Sequence, residues 1–360
     1  MTSLQERIDS KEAFEERVFA SVLGAFDVWS FYLGEKLGLY AALASKGPMT
    51  SAALAAEAGI AQRYADEWLE HQVTCEILEV DDPSAPADRR TYSINPGHAE
   101  VLTEKDSLSY LAPFVRLVVA GSLQLPALVD AYRTGGGVPW AQYGSDMRTG
   151  QAEMNRPWFL TALGEEWFPG VAWLHELLSS GARVADVGCG EGWSSIGMAQ
   201  AYPAIEVDAF DIDGPSIEAA QRHAVEAGVA DRVRFHARDA AEAAGDYDLV
   251  TAFECIHDMP DPVSVLATMR TIAGSDGRVV VMDEAVGEAF GERTDEIERL
   301  MYGFSLFVCL PDGLSHEESV GTGTVMRPST LAIYAELAGF SAVDQLPIEN
   351  DLWRFYELAK

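Results

Sequence analysis

The sequence predicts an α/β fold: a mostly parallel sheet with an antiparallel terminal strand pair, preceded by a helical domain. Three observations carry this. The stretch Val184-Ala-Asp-Val-Gly-Cys-Gly-Glu-Gly-Trp-Ser194 reads as a buried strand, Arg183 to Val187, running into a glycine-rich turn and a helix that opens at about Trp193. From there strands and helices alternate, the mark of a parallel sheet. Near the end, two strands follow each other too closely for a crossover helix, so one of them should run antiparallel at the sheet edge.

At 360 residues the chain accommodates two domains of ordinary size. Hydrophobic content of 48% and aromatic content of 10% fit a globular chain rather than a disordered one. No apolar run reaches the roughly 18 residues of a membrane span. The polar, acidic start from Met1 to Ser10 holds no signal-peptide apolar region, so a cytoplasmic location is expected. Cys75, Cys189, Cys255 and Cys309 lack CxxC spacing and read as free thiols, and no His/Cys/carboxylate spacing suggests zinc, so no metal is expected. A formal net charge of −32 opposes binding to nucleic acid or anionic membrane.

Taken in order, residues 11–45 read as helix, with Phe14, Val18, Val22 and Phe26 at helical spacing and Trp29, Phe31, Leu33 and Leu37 beyond. Such density near a terminus is either core or a subunit interface. Residues 49–100 show a helix–turn–helix plan. A helix from Ala52 to Ala58 is capped by Thr50 or Ser51, and Gly59 ends it. A second runs from about Gln62 to Thr74, and short strands at Ile77–Val80 and Tyr92–Ile94 form a wing. This is a winged-helix domain, used either on DNA or for dimerisation. The second helix exposes Asp66, Glu67 and Glu70 against Arg63, which phosphates would repel.

Residues 107–135 form another apolar helical stretch, ended by Gly135-Gly-Gly137. The segment from Val138 to Arg156 reads as loop with unusual aromatics; Trp140 and Tyr143 suggest a pocket wall, or packing between domains. Helices follow at about Pro157–Leu163 and Pro169–Leu178. Strands then read as Arg183–Val187, Glu206–Asp211, Val233–Ala237, Leu249–Phe253 and Arg278–Met282, with helices between them. A helical insertion at about Glu292–Leu310 and a helix at Pro328–Ala338 precede the terminal strands Ala342–Pro347 and Trp353–Leu358.

Alternating glycines let a ligand approach the backbone, and the following helix offers unpaired N–H groups. Asp186 precedes Gly188-Cys-Gly190-Glu-Gly192, and Asp211 closes the next strand about 20 residues on, the range of a ribose-binding acid. A nicotinamide site would carry G-x-G-x-x-G instead. The motif resembles motif I of the class I S-adenosylmethionine-dependent methyltransferases, whose Rossmann-like seven-stranded sheet also ends in such a strand pair. The resemblance implies S-adenosylmethionine (SAM) as cofactor, bound by Asp186, Gly188, Gly190, Gly192, Asp211, Ile212, Asp239, Ala240 and Phe253. Asp211 would hold the ribose hydroxyls, and Asp239 sits where the adenine amine is met.

The segment Ile256-His257-Asp258-Met-Pro-Asp261 resembles the Leu-His-Asp-Trp motif of small-molecule O-methyltransferases that carry an N-terminal winged-helix dimerisation domain. The resemblance extends to Gly38-Leu-Tyr40 and the helix around Arg63–Leu69. It implies His257 as general base, a role that suits a neutral imidazole. Met259 replaces the usual Trp, and Glu254 stands where that family often has an aromatic residue. The family's carboxylate after the fifth strand is Asp283 or Glu284. The downstream stretches resemble a bacterial branch with mostly unassigned substrates. Tyr302 and Phe304 join Trp140 and Tyr143 as candidate substrate contacts, or serve as core. An Asp-Asp-Asn magnesium arrangement is not found in register.

The expectation is a homodimeric methyltransferase acting on a small apolar or aromatic molecule, at a hydroxyl with His257 as base. Transfer to nitrogen or carbon, with Glu254 as base, is one alternative; a SAM-binding winged-helix regulator is the other. The expected division is 1–108 for dimerisation, 109–180 for linking helices and pocket loops, and 181–360 for the cofactor domain.

Overall fold

The structure, a computed structural model, describes residues 11–291 and 295–360. The expected leaderless start and the first three residues of the insertion lie outside them. The chain divides into two compact units, residues 1–119 and 120–360.

In the first unit, α1 (Lys11–Lys36) and α2 (Leu39–Lys46) replace the single helix expected over 11–45. The break is Gly38, whose φ of 67° lies in the left-handed region that terminates a helix. Thr50 accepts from the Ala53 amide to cap α3 (Ser51–Ala58), and α4 runs Gln62–Thr74 as expected. Leu39, Tyr40, Leu54, Trp68, Leu69 and Tyr92 form the core of the unit. The wing is short: β1 (Glu79–Val80) pairs antiparallel with β2 (Tyr92–Ser93). Helix α5 (Pro96–Thr103) was not anticipated, although Asn95 before Pro96 is a cap followed by a proline at the first helical position. The apolar stretch at 107–135 resolves into α6 (Ala112–Ser122), which runs across the boundary at 119, and α7 (Leu125–Thr134), which belongs to the second unit.

In the second unit, α8 (Trp140–Pro157) occupies the segment read as loop, with a kink at Gly144 where φ is 79°. A π-helix, Trp158–Trp167, continues it, followed by α9 (Ala172–Ser179). The polar, Gly-containing composition of α8 hid its helicity; pocket-facing side chains replace the apolar stripe that would have revealed it.

The sheet then forms from β3 (Arg183–Val187), β4 (Glu206–Asp211), β5 (Val233–Ala237), β6 (Leu249–Phe253), β7 (Arg278–Glu284), β8 (Ala342–Gln345) and β9 (Trp353–Ala359), in the order β5-β4-β3-β6-β7-β9-β8. Strands β3 to β7 are mutually parallel, while β9 is antiparallel to both neighbours. The antiparallel strand is therefore one in from the edge. The edge strand β8 reverses again because β8 and β9 form a hairpin, and β9 is the member that pairs with β7. One face of the sheet (Val184, Val207, Leu249, Val280) packs on α9, α10 (Trp193–Ala201) and α11 (Gly214–Glu226). The other (Ala185, Val187, Val250, Val281) packs on α12 (Pro262–Ile272) and α15 (Pro328–Leu337). Between them, α13 (Glu296–Phe304), a π-helical turn (Ser305–Cys309) and α14 (Leu310–Gly313) form the insertion. Among the described residues, no single helix is long and apolar enough to cross a membrane.

Candidate active site

Strand order runs outward in both directions from β3, through β4 on one side and β6 on the other. The glycine turn after β3 therefore lies at the point where open α/β sheets bind ligands. Gly192 has φ 85°, and a Cβ there would stand 2.6 Å from the Phe235 ring. Gly190 has φ 51° with nothing within 4 Å of its would-be Cβ, so that face of the turn is open. Gly188 packs its backbone against Cys255.

Asp186 lies beneath the turn rather than in it. Its Oδ2 accepts from the Ser194 and Ser195 hydroxyls, both at 2.6 Å, and its Oδ1 from Thr251 at 2.8 Å. Burial pushes this carboxyl up, and the three hydroxyls oppose that. The residue ties the turn to the start of α10. At the end of β4, Asp211 accepts from the Gly190 and Asp213 amides, each at 2.8 Å. Burial raises its carboxyl too. Beside it Ile212 is 67% exposed, an apolar surface with no cover of its own. Asp239 is exposed and caps a short 3-10 turn, Ala240–Glu242, through the Ala241 amide at 2.8 Å; Ala240 is buried.

The glycine turn borders a cleft open to solvent. Residues 188–192 of the turn, Phe253 and Glu254 line it from the sheet, and Trp140, Arg148 and Asn155 from α8. Arg148, the one cation among the described lining residues, pairs with Asp213 at 2.8 Å. Sequence reasoning missed Arg148 and Asn155 because it read their helix as a loop.

Glu254 follows β6 with φ 50°, a conformation that strains a residue with a side chain and gathers at functional sites. It accepts hydrogen bonds from Asn155 Nδ2 and Trp353 Nε1. Burial pushes its carboxyl up to about 7 despite these donors. Glu284, also buried, is raised well above the carboxylate range by burial and then by Glu254. Its partner in β7 faces elsewhere: Asp283 Oδ1 accepts from His257 Nδ1 at 2.7 Å. The two neighbours at the end of β7 thus part company, Asp283 meeting the histidine and Glu284 the glutamate.

His257 is 3% exposed. Its Nε2 stands 3.3 Å from Asp258 Oδ1. Burial disfavours the imidazolium, but Asp258 and Asp283 overcome it and raise the ring well above its ordinary value. Cys309, at the end of the π-helical turn, lies against both His257 and Asp258, and burial pushes its thiol up to about 12. The sequence alone reads Cys309 only as a free thiol.

Of the four candidate substrate contacts, Trp140 lines the cavity. Tyr143, Tyr302 and Phe304 lie outside its lining. The Tyr143 hydroxyl is spent on the Phe307 carbonyl at 2.8 Å, and that of Tyr302 accepts from Arg327 at 3.1 Å. In the first unit, Arg63 of α4 pairs with Glu67, and Arg90 of the wing pairs with Glu70 at 2.8 Å.

Residues 178–310 match the family described as "Methyltransferase domain", and residues 29–104 the family described as "Rv2258c-like winged HTH domain". A ubiquinone biosynthesis O-methyltransferase of Bordetella avium is 39% identical over 113 residues, 30% of this chain and 45% of that protein. The chain thus spans less than half of that relative's length. The enzyme of the same name from Aromatoleum aromaticum is 30% identical over 184 residues, 50% of this chain and 73% of that protein. Among solved structures, the mitomycin 7-O-methyltransferase MmcR shares the fold with a TM-score of 0.76 at 21% identity, covering 97% of this chain and 98% of that one. Human N-acetylserotonin methyltransferase, solved in complex with SAM, gives 0.73 at 17% identity over 98% and 99%.

Proposed function

The chain belongs to the class I SAM-dependent methyltransferases with an N-terminal winged-helix domain, and within that family we propose that it methylates a hydroxyl of a small apolar or aromatic acceptor with His257 as general base. The glycine turn and the residues at the end of β4 beside it suit the cofactor: Asp211 offers a carboxylate for paired hydroxyls, Ile212 an apolar face for a flat ring, and Gly190 an open approach to the backbone. SAM supplies a methyl group on a sulfonium, a leaving group that needs no acid. The protein's task is therefore to position the acceptor and take its proton.

The observation that carries the base assignment is the hydrogen bond from His257 Nδ1 to Asp283. In the neutral ring, which the carboxylates shift to higher pH, this bond favours the proton on Nδ1 and leaves the Nε2 lone pair as acceptor, the logic of an oriented base. Nε2 of the neutral ring would accept the acceptor hydroxyl's proton, and Asp283 would stabilise the imidazolium that results. Turnover of a hydroxylated aromatic panel, followed as demethylated cofactor released, tests this. His257→Ala should abolish turnover while leaving cofactor affinity in place; retained turnover would sink the mechanism.

One observation favours a second reading. Glu254 lines the cavity and titrates near 7, so it can act as base for transfer to nitrogen or carbon. Methylation of amine or carbon acceptors, lost in Glu254→Gln and kept in His257→Ala, would select it.

We also assign a homodimer built through the N-terminal helices. Phe14, Phe19, Val22, Phe26, Trp29 and Leu33 of α1 are each 47% to 65% exposed, a row that water disfavours. The three-part division at residues 108 and 180 stands as a functional proposal of the same kind, as does a cytoplasmic location. The paired arginines of α4 and the wing support a role other than DNA binding.

A further inference from the structure

The geometry points to a three-ligand site for a thiophilic divalent cation, built from His257 Nε2, an Asp258 carboxylate oxygen and Cys309 Sγ. The three ligand atoms lie within 4.8 Å of one another. Bonds of about 2.0–2.3 Å in a tetrahedral zinc site place ligand atoms roughly 3.3–3.7 Å apart. Asp258 Oδ1 already stands 3.3 Å from Nε2, yet it is buried without a hydrogen-bond partner.

A further feature is the support behind the ring. His257 Nδ1 stands 2.7 Å from Asp283 Oδ1, so on the neutral ring, or once an ion displaces the Nε2 proton, the Nε2 lone pair faces Asp258 and Cys309. A carboxylate behind the imidazole is how metal-bound histidines are held and oriented. Cys309 is delivered by a π-helical turn, Ser305–Cys309, a distortion that recurs at functional sites. Thiolate, imidazole and carboxylate together select Zn²⁺ or Co²⁺ over Mg²⁺ or Ca²⁺, and three protein ligands leave a fourth position open. The Asp258 side chain is 36% exposed, so an ion has a way in.

The first unit gathers a similar trio, Asp27, His71 and Cys75. There the Gln72 amide oxygen accepts from Tyr40, so its nitrogen donates to His71 Nδ1 at 3.3 Å. The His71 Nδ1 lone pair is then engaged by that amide, and its proton sits on Nε2. This trio serves as the internal control.

An ion on Nε2 occupies the lone pair that the proposed base uses, so metal binding and methyl transfer exclude each other. Binding itself does not rest on the base assignment; this consequence does. The test is titration of the chelator-stripped full chain with Co²⁺, read by the near-ultraviolet thiolate-to-cobalt band. One equivalent should bind, with the band lost in Cys309→Ser and kept in Cys75→Ser. Asp283→Asn, which keeps all three ligands, should weaken the ion by about 10- to 100-fold. No thiolate band, or one that survives Cys309→Ser, overturns the site. If cobalt binds through Cys309 while Zn²⁺ leaves turnover untouched, the site stands and His257 is not the base.

Discussion

His257 Nδ1 and Asp283 Oδ1 meet at 2.7 Å across 26 residues of sequence, with both side chains at least 97% buried. The pair joins the turn after β6 to the last residues of β7, and with Asp258 it sets the protonation state of the ring. Because the carboxylates raise the imidazole, its neutral form appears only above the ordinary histidine range. Turnover should therefore rise with pH through an alkaline limb. Asp283→Asn removes one of the raising charges, so the limb should move to lower pH while the maximal rate falls by about 10²–10⁴-fold. A pH–kcat profile measures both; a limb that does not move separates Asp283 from the ring.

Asp211 carries the cofactor prediction. A ligand at 100 times its dissociation constant stabilises the folded state by about 2.7 kcal/mol. SAM at that excess should raise Tm clearly in the native chain and not in Asp211→Ala, in a thermal melt with and without cofactor. An equal shift in both proteins would remove Asp211 from the site.

Glu254 makes stability depend on pH. Its carboxyl is raised from 4.5 to about 7 by burial, so the folded state holds the proton more tightly than the unfolded one. The stabilisation is fully present below about pH 4.5 and is lost as pH rises through about 7, on the order of 3 kcal/mol. Glu254→Gln has no such proton. Its Tm should fall less than that of the native chain between pH 5 and 8 in cofactor-free melts.

Gly192 admits no side chain. A Cβ would stand 2.6 Å from the Phe235 ring at a φ of 85°. Gly192→Ala should lower stability by about 1–3 kcal/mol and weaken SAM binding. Chemical denaturation and calorimetric titration read the two effects separately.

The exposed row on α1 predicts the assembly. Phe19 and Phe26 are 65% and 51% exposed. Replacing both with aspartate should halve the mass seen by light scattering. An unchanged mass places the interface elsewhere.

Much of this was legible in the chain itself. The parallel strands β3 to β7 announced themselves because strands covered on both faces read as short apolar runs bounded by turns. The glycine turn and Asp211 were legible for a related reason: backbone approach and a charged end after a buried strand leave few residue choices. Helix α8 was not, because its inward face is polar, and with it Arg148 and Asn155 stayed hidden. The antiparallel position also escaped, since spacing shows that two strands form a hairpin but not which one pairs with β7.

The sequence by itself determined the family and the glycine turn, and it named the candidate residues for chemistry, since each is a local pattern of burial and charge. Only the tertiary structure decided their company. Asp283 and Glu284 are indistinguishable in a string, yet alternation along β7 sends one to His257 and the other to Glu254. Cys309 reaches His257 because a π-helical turn rotates it there. Such meetings depend on register and helix phase, which are set by packing across the whole sheet and not by neighbours in the chain.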